Sequence, residues 1–258
     1  MKHSYKPLFL LLLLPGLLPA QTAQRPDLSG VWSFVIDLPP VGLKTQSGGN
    51  VAVKTIDRGY AAPIGAAVSG ALPSAKEPTY KPEFRAKVKD LFDHESKTDP
   101  VFYCGRPGIP RIGPPRKILQ LPTETIFFYE DISGDPYRII PTGNRPDKRT
   151  GNPSTYGTSA GHWDGNAFVV DVTNFVDDSW FGEGGYFHSD AMHVTERLWR
   201  VGDNLAYQAT VEDPKVLASP WVMPVKVVKP STEPLEESPF CKETDINRMV
   251  NDDHHVQR

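Results

Sequence analysis

The segment GGYFHSDAMHVTERLWRV, residues 184–201, concentrates side chains that could carry out acid–base chemistry. It holds His188 and His193 beside Asp190 and Glu196, and it opens with two glycines that allow the backbone to approach a ligand closely. A histidine next to a carboxylate can be oriented and tuned for proton transfer. These residue types predict a cofactor-free acid–base site, and the alternative is the solvated face of a β-strand.

Alternation along a predicted hairpin, residues 192–213, sorts its side chains onto two faces. With a two-residue turn within GDN, Glu196 lies on the apolar face, between Val194 and Leu198. An unpaired buried charge costs several kcal/mol. Glu196 is therefore either a general acid whose pKa is raised by burial or half of a structural ion pair. Three arginines are candidate partners for that ion pair: Arg111, Arg116 and Arg138.

A second predicted hairpin, residues 158–174, turns at Asp164-Gly165 or at Gly165-Asn166. Either turn places His162 and Asp171 on one face, close together across the strands. The candidate catalytic residues are therefore His162, Asp171, His188, His193 and Glu196. The surrounding aromatic residues suit an apolar or aromatic ligand, and Arg197 or His162 could hold an anionic group. The candidate substrate-binding residues are Trp163, Trp180, Tyr186, Asp190, Arg197 and Tyr207.

Other chemistries fit the residue spacing less well. Three histidines with a carboxylate could bind zinc or iron, but the H-x4-H spacing of His188 and His193 matches no standard metal motif. The chain has no G-x-S-x-G motif, phosphate-binding loop or dinucleotide fingerprint. We predict a site without metal or cofactor, and a divalent metal ion remains the alternative.

The N-terminus predicts export. Lys2 and Lys6 precede an apolar run at residues 7–18, and Pro19-Ala20 supplies a small residue at a plausible cleavage point. This is the pattern of a secretory signal peptide, here residues 1–20. The run is shorter than the roughly 20 apolar residues that span a bilayer. We expect a periplasmic or secreted protein that is not inserted in the membrane.

Composition narrows the class of partner. The net charge of -3 provides no basic surface for nucleic acid, so a small-molecule ligand is the expected partner, and the oligomeric state is left open. The 26 prolines and 21 glycines predict many turns and loops. Two cysteines in an exported chain most often pair, so we predict a disulfide between Cys104 and Cys241, with two free buried thiols as the alternative.

Short β-branched and aromatic runs predict an antiparallel β architecture of about eight or nine strands with one amphipathic helix. The helix starts at Pro82, carries Phe84, Val88, Leu91 and Phe92 on one face, and stops at Asp99-Pro100. Predicted strands cover residues 27–38, 117–121, 124–131, 137–141 and 221–228 besides the two hairpins, and short strands could lie at 51–56 in the irregular segment 39–78. Long loops rich in proline and glycine, including residues 104–116, connect these elements. A barrel or a strongly curved sandwich satisfies this pattern.

Several motifs resemble a large family of exported bacterial proteins. They are LSGVW at 28–32, CGRPGIPR at 104–111, GHWDGNAFVVDVTNF at 161–175, HSDAMHVTERLWR at 188–200 and VEDPKVLASPW at 211–221, followed by Cys241. The chain departs from this pattern at residues 39–78 and at Asp164, where glutamate is expected. The resemblance implies one co-folded domain and no reaction; with the signal peptide removed, we place that domain at residues 21–245 and expect the polar tail at 246–258 to be loose. The SGVW stretch is also similar, more weakly, to the opening of lipocalin-like (calycin) barrels.

These observations predict an exported enzyme that acts on a small apolar or aromatic substrate. Elimination, isomerisation, cyclisation and hydrolysis need only a proton donor and an acceptor, so a lyase, an isomerase or a hydrolase is expected. His188 or His193 would be the base, and Glu196 would be the acid or the orienting residue. The alternatives are a non-catalytic lipocalin-like binding protein and a secreted structural or interaction protein. The enzyme requires the five candidate catalytic residues to converge in one concavity.

Overall fold

The computed structural model describes residues 25–33, 60–61, 68–131, 134, 136–142, 151–237 and 241. Over this part the protein is mainly β, with two antiparallel sheets and a separate two-stranded hairpin. The predicted antiparallel β class is therefore confirmed. The strands are β1 (Gly30–Val31), β2 (Tyr60–Ala61), β3 (Lys117–Gln120), β4 (Glu124–Phe128), β5 (Tyr137–Pro141), β6 (Thr158–Asp164), β7 (Ala167–Thr173), β8 (Trp180–Gly182), β9 (Tyr186–Phe187), β10 (His193–Val201), β11 (Asn204–Glu212), β12 (Trp221–Val222) and β13 (Lys226–Val228).

The two sheets pack face to face around the main core. One sheet has the strand order β1-β3-β4-β5, and the other has the order β2-β13-β11-β10-β7-β6, with β12 also paired to β11. The rings of Phe127 and Phe168 meet across the interface with centroids 6.2 Å apart. Isolated bridges join Thr142 to Gly161 and Trp32 to Pro230, so the sheets approach each other at both borders.

Both predicted hairpins form with the expected faces. Val201 pairs with Asn204 around a two-residue turn, and Asp164 pairs with Ala167 around Gly165-Asn166. Each turn has a glycine in the left-handed region, at Gly165 (φ 57°) and Gly202 (φ 59°). That conformation costs glycine little and gives the backbone twist that two-residue hairpins need.

A second, smaller core lies on the other face of the seven-stranded sheet. Trp199, Val169 and Ala206 pack there against Val68 and Ala71. The Trp199 indole donates a hydrogen bond to the Ser69 carbonyl oxygen at 2.7 Å. The segment that begins at residue 68 therefore covers part of this face, and the rest carries the outward polar residues of β6, β7, β10 and β11.

The helical region is shorter and more broken than the sequence predicts. A 3₁₀ turn at Pro82–Phe84 leads into α1 (Arg85–Asp93), and α2 (Glu95–Thr98) follows. Phe84, Val88 and Leu91 pack against the main core as predicted. Phe92, which the helical period places on the same face, is 54% exposed. The helical region ends before Asp99, whose side chain accepts a hydrogen bond from the Val101 N–H.

Several strand predictions need correction. There are more strands than the eight or nine expected, because many are only two or three residues long. The first strand is described only at Gly30–Val31, and the predicted strand at 221–228 is split into β12 and β13. The β8–β9 hairpin was not predicted. The proposed strands at 51–56, the signal peptide at 1–20 and the tail at 246–258 lie outside the described residues.

The predicted disulfide is confirmed. Cys104 and Cys241 are bonded, with Cα atoms 5.7 Å apart and a sequence separation of 137. The bond ties the end of the described chain to the loop that follows the 3₁₀ turn Pro100–Tyr103. Among the described residues, no helix has both the length and the apolar character needed to cross a membrane.

Candidate functional site

Strand β10 directs its side chains alternately to the two faces of the seven-stranded sheet. Glu196 faces the four-stranded sheet and is fully buried. His193 and Thr195 lie at odd separations from it, so their side chains are on the opposite face. The five candidate catalytic residues therefore do not converge in one concavity, as the predicted enzyme requires.

Glu196 is held inside the main core by an ion pair. Its Oε2 lies 2.7 Å from Nη2 of Arg138 on β5, and its Oε1 accepts a hydrogen bond from the Tyr207 hydroxyl at 2.9 Å. Arg138 also donates to the Tyr129 hydroxyl at 3.1 Å and to Ser159 Oγ at 2.8 Å. Of the three arginines that the sequence offers as partners, Arg138 is the one used. The pair links the two sheets through their interior.

The ion pair controls the charge states around it. Burial acts against the charge on Arg138, but the Glu196 carboxylate, Tyr129 and the hydrogen bonds to both together raise the pKa of the guanidinium. Burial, and then the negative charge of Glu196, raises the pKa of the Tyr207 hydroxyl well above its ordinary value. Arg138 therefore stays charged and Tyr207 stays a neutral hydrogen-bond donor. The arrangement therefore suits a structural ion pair between Glu196 and Arg138 better than proton exchange between Glu196 and bulk solvent.

The outward face of the same sheet carries a chain of alternating imidazoles and carboxylates. His193 Nε2 lies 3.3 Å from Asp171 Oδ1, and its Nδ1 lies 3.2 Å from Glu212 Oε2. The second oxygen of Asp171 is 3.5 Å from His162 Nδ1, an ion-pair distance rather than a hydrogen bond. Thr195 Oγ1 donates to Asp171 at 3.3 Å. The prediction that His162 and Asp171 share a face is confirmed, and the chain is half-exposed.

His188 lies apart from both groups and is buried. Its Nδ1 is 2.9 Å from the Ser189 carbonyl oxygen, which can only accept, so this nitrogen carries the proton. Its Nε2 then accepts from the Ser179 hydroxyl at 3.2 Å. Burial lowers the pKa of His188, and the hydrogen bond to the Ser189 carbonyl opposes that effect in part. His188 is a satisfied neutral histidine in the core.

Asp213 is a buried residue that the sequence analysis did not select. It joins the HSD segment, residues 188–190, to the EDP segment, residues 212–214, in the folded protein. It is 2% exposed, and its oxygens accept from the Ser189 N–H and hydroxyl and from the Lys215 and Val216 N–H groups at 2.7–3.3 Å. These contacts fix the loop before β10 against the turn after β11. The sequence signal was an aspartate before proline at a strand end, which favours a side-chain-capped turn.

The candidate substrate-binding residues are dispersed. Arg197 pairs with Asp164 at 2.9 Å on the outward face. Asp190 pairs with Lys215 at the surface, and this pairing lowers the pKa of Asp190. The remaining four are aromatic and lie in three places: Trp163 against Phe168, Tyr207 in the main core, and Trp180 and Tyr186 in the β8–β9 hairpin.

Three packed aromatic rings lie beside a surface cleft at the β8–β9 hairpin; Tyr186 is partly exposed, whereas Phe181 and Trp221 are 1% and 7% exposed. Phe181 lies 5.9 Å from Tyr186 and 5.7 Å from Trp221, and Tyr186 lies 6.1 Å from Trp221, measured between ring centroids. We call these residues the ring cluster. The cleft beside it has a volume of about 340 Å³. Arg111, Lys76, Lys226, Glu77 and Glu183 add charges of both signs to its lining. Of the ring cluster, the sequence predicted Tyr186 as a substrate-binding residue and Phe181 as part of an aromatic surface for a ligand, and it did not predict Trp221.

The glycines before Tyr186 serve the packing of this hairpin. Gly184 and Gly185 both have φ of 81°, in the left-handed region. A Cβ at Gly185 would lie 2.8 Å from the Val88 carbonyl oxygen and 2.9 Å from the Leu91 Cβ. The sequence suggested that these glycines let the backbone approach a ligand. Gly185 instead lets it approach helix α1, and this packing holds the hairpin that carries Tyr186.

Arg111 reaches the cleft from the loop that follows the disulfide. Its Nη1 and Nη2 donate to the two carboxylate oxygens of Asp99 at 2.8 and 2.6 Å. Asp99 is fully buried, and the Arg111 guanidinium also lies 5.9 Å from the Trp180 ring centroid. Because a two-pronged pair of this kind fixes the orientation of the guanidinium, this wall of the cleft is rigid.

A second concavity, of about 470 Å³, lies at the start of β10. His193 and Glu212 line it together with apolar residues, among them Ala191, Pro214 and Leu217. In the part of the chain that the structure describes, no three histidine, cysteine, aspartate or glutamate side chains are arranged to hold a metal ion.

Comparison with models of protein families gave no match. Neither the curated proteins nor the solved structures included a significant match to the chain. The function is therefore argued from the geometry of the two concavities.

Proposed function

We propose that this chain is an exported small-molecule-binding protein whose ligand places an aromatic or other flat apolar group against the ring cluster. The observation that carries the proposal is the mutual packing of Phe181, Tyr186 and Trp221 at the wall of an open cleft. Aromatic pairs gain about 0.5–1.5 kcal/mol beyond the area that they bury. A fourth ring supplied by a ligand would gain in the same way.

The composition of the cleft supports this type of ligand. Protein sites for small molecules are mostly apolar, with a few placed polar groups that orient the ligand. Here the apolar part is the ring cluster with Met223, and the polar part includes Arg111 and the Tyr186 hydroxyl. Burial, and then the Glu77 carboxylate, raises the pKa of Tyr186 to about 12, so its hydroxyl is a donor at neutral pH. The ligand would combine a flat apolar body with a hydrogen-bond acceptor.

We infer a single lipocalin-like, barrel-like domain over residues 21–245, in which the two sheets continue into each other. The bridges Thr142–Gly161 and Trp32–Pro230 support this closure, since each joins one sheet to the border of the other. The binding site would then lie on the outside of the barrel, because the interior is filled by the main core and the Glu196–Arg138 pair.

Export, and the family resemblance of the sequence motifs, are part of the same proposal. The disulfide is consistent with an oxidising compartment such as the periplasm or the exterior. N-terminal sequencing of the protein from the exported fraction should find a start within a few residues of Gln21. A start at Met1 in a cytosolic fraction would contradict this part of the proposal.

A fluorescence titration with anilinonaphthalene sulfonate, a flat aromatic probe with an acceptor group, tests the binding site. Tyr186→Ser removes one ring from the cleft wall and should weaken the affinity for the probe about tenfold, a change of about 1.4 kcal/mol. The matched control is Tyr137→Ser, which removes a ring that is 62% exposed on the other sheet. An affinity that depends on Tyr137 and not on Tyr186 would place the binding elsewhere and reject the cleft.

A further inference from the structure

One wall of the second concavity is formed by Glu212, the last carboxylate in the row of contacting side chains His162, Asp171, His193 and Glu212. Glu212 ends strand β11 and pairs with His193 across the sheet. Both residues line the concavity, and Ala191, Pro214 and Leu217 provide apolar walls. The Glu212 side chain is 48% exposed, so a molecule in the concavity can reach it.

The neighbouring groups orient Glu212. His193 Nδ1 lies 3.2 Å from Glu212 Oε2, and His193 Nε2 lies 3.3 Å from Asp171 Oδ1. Thr195 Oγ1 donates to the same Asp171 oxygen. The imidazole is therefore hydrogen-bonded to Glu212 in front, and Asp171 lies behind it at an ion-pair distance. The line of contacts crosses three paired strands, β11, β10 and β7, which form the rigid centre of the sheet.

The other carboxylates nearby are committed elsewhere. The two oxygens of Asp213 accept hydrogen bonds from Ser189 and from the backbone of the following turn. Asp190 is engaged by Lys215. Asp171 lies behind the His193 ring, and the concavity lining does not include it. Both ring nitrogens of His193 face carboxylates, so neither presents a free lone pair to the concavity. The described lining contains two carboxylates, Asp213 and Glu212; Asp213 is 2% exposed and the Glu212 side chain is 48% exposed, so Glu212 is the one that a molecule in the concavity can reach.

We propose that this concavity is a proton-transfer site in which Glu212 accepts a proton from a small, largely apolar substrate with an acidic C–H bond. His193 is the positioning residue that orients the Glu212 carboxylate, and Asp171 orients His193 in turn. The proposal does not depend on ligand binding at the ring cluster. The sequence suggested His193 or His188 as the base, and here that role falls to the Glu212 carboxylate.

The Kemp elimination of nitrobenzisoxazole tests this chemistry without knowledge of the natural substrate. Glu212 takes the C–H proton, the electron pair of that bond completes a nitrile, and the N–O bond breaks to release a phenolate. The proton then passes from Glu212 to water, which restores the carboxylate. The step needs no metal, cofactor or oxidant, and the coloured phenolate is measured directly.

We expect the protein to accelerate the elimination beyond the rate given by an equal concentration of free acetate. Glu212→Gln should lower kcat/KM at least about tenfold, towards the lower end of what a positioned general base contributes. The matched control is Asp164→Asn, which removes another carboxylate from the same face of the sheet, 63% exposed and outside the concavity. It should leave the rate within about twofold, since it contributes no positioned base.

The positioning role has its own readout. His193→Ala should lower kcat with little change in KM, and His193→Gln, whose amide can still donate to Glu212, should recover part of that loss. Ala218→Trp fills the concavity from an exposed position and should raise KM for the probe while kcat is retained. Melting curves of all variants establish that they are folded. A rate for Glu212→Gln above half that of the unmodified protein, or no acceleration over acetate, would overturn the proposal.

Discussion

The ion pair between Glu196 and Arg138 predicts that Glu196→Gln destabilises the protein strongly. The amide keeps the size of the carboxylate but removes its charge, so Arg138 is left in the core without a counter-ion. The amide oxygen can still face the Arg138 guanidinium, and the amide N–H can donate to the Tyr207 hydroxyl, which accepts as well as donates. The cost of the substitution therefore lies mainly in the lost negative charge.

The magnitude follows from the burial of the pair. The side chains are 0% and 4% exposed, so solvent does not screen the remaining charge. Breaking a buried pair by removing one partner costs about 3–5 kcal/mol. For a domain of this size, each kcal/mol lowers Tm by about 2–4 °C, so Glu196→Gln should lower Tm by about 6–20 °C. Denaturant unfolding followed by tryptophan fluorescence gives the free energy of unfolding directly.

A double-mutant cycle separates the ion pair from the other contacts. Arg138→Met should be destabilising by a similar amount, and the double variant Glu196→Gln, Arg138→Met should be less destabilised than the sum by about 2 kcal/mol or more. The exposed pair of Arg197 and Asp164 is the matched control, and its loss should cost less than about 1 kcal/mol. A Tm that is unchanged or raised in Glu196→Gln would refute the structural role and return Glu196 to the list of candidate catalytic groups.

Three further predictions address separate parts of the fold. Cys104→Ser should destabilise the protein by about 4–5 kcal/mol, because it opens a long loop in the unfolded chain, and a non-reduced digest of the unmodified protein should contain one cross-linked peptide pair. The fold lowers the pKa of His188 below its ordinary value of 6.5, so the unfolded chain takes up the proton first and the free energy of unfolding falls as the pH drops below about 6.5. His188→Gln should remove up to about 1.4 kcal/mol per pH unit of that dependence. Urea unfolding at several pH values measures it. Gly185→Ala should lower stability by about 1–3 kcal/mol by thermal melting, because the new methyl group meets the backbone of α1 at a positive φ.

The hairpins could be predicted from the sequence because their information is local. In β10 and β11, alternation over nine residues and a two-residue turn determine which side chains share a face, and the observed register places Glu196 opposite Ala209, on the apolar face. The partner of Glu196 could not be selected in this way. Arg138 is 58 positions away and lies in the other sheet, so three arginines fitted equally until the packing of the two sheets was known.

The ring cluster was largely beyond prediction for the same reason. Phe181 and Tyr186 belong to strands of two or three residues, which are too short to show a period. Trp221 comes from a distant part of the chain and meets them only in the folded protein. The helical period also could not predict the exposure of Phe92, because it places Phe92 on the face of Phe84, Val88 and Leu91, which pack on the core.

The prediction of one acid–base site that holds both His193 and Glu196 was inconsistent with the alternation of side chains along a β-strand. His193 and Glu196 are three positions apart on one strand, and residues at odd separations point to opposite faces of a sheet. A site that holds both side chains would need an irregularity between them, and β10 pairs with β7 and β11 in continuous register across these positions. His193 can therefore share a site only with residues at even separations on β10 and with their outward neighbours on adjacent strands. Glu212 and Asp171 satisfy this condition, and the carboxylate of Glu212 is the one that faces an open concavity.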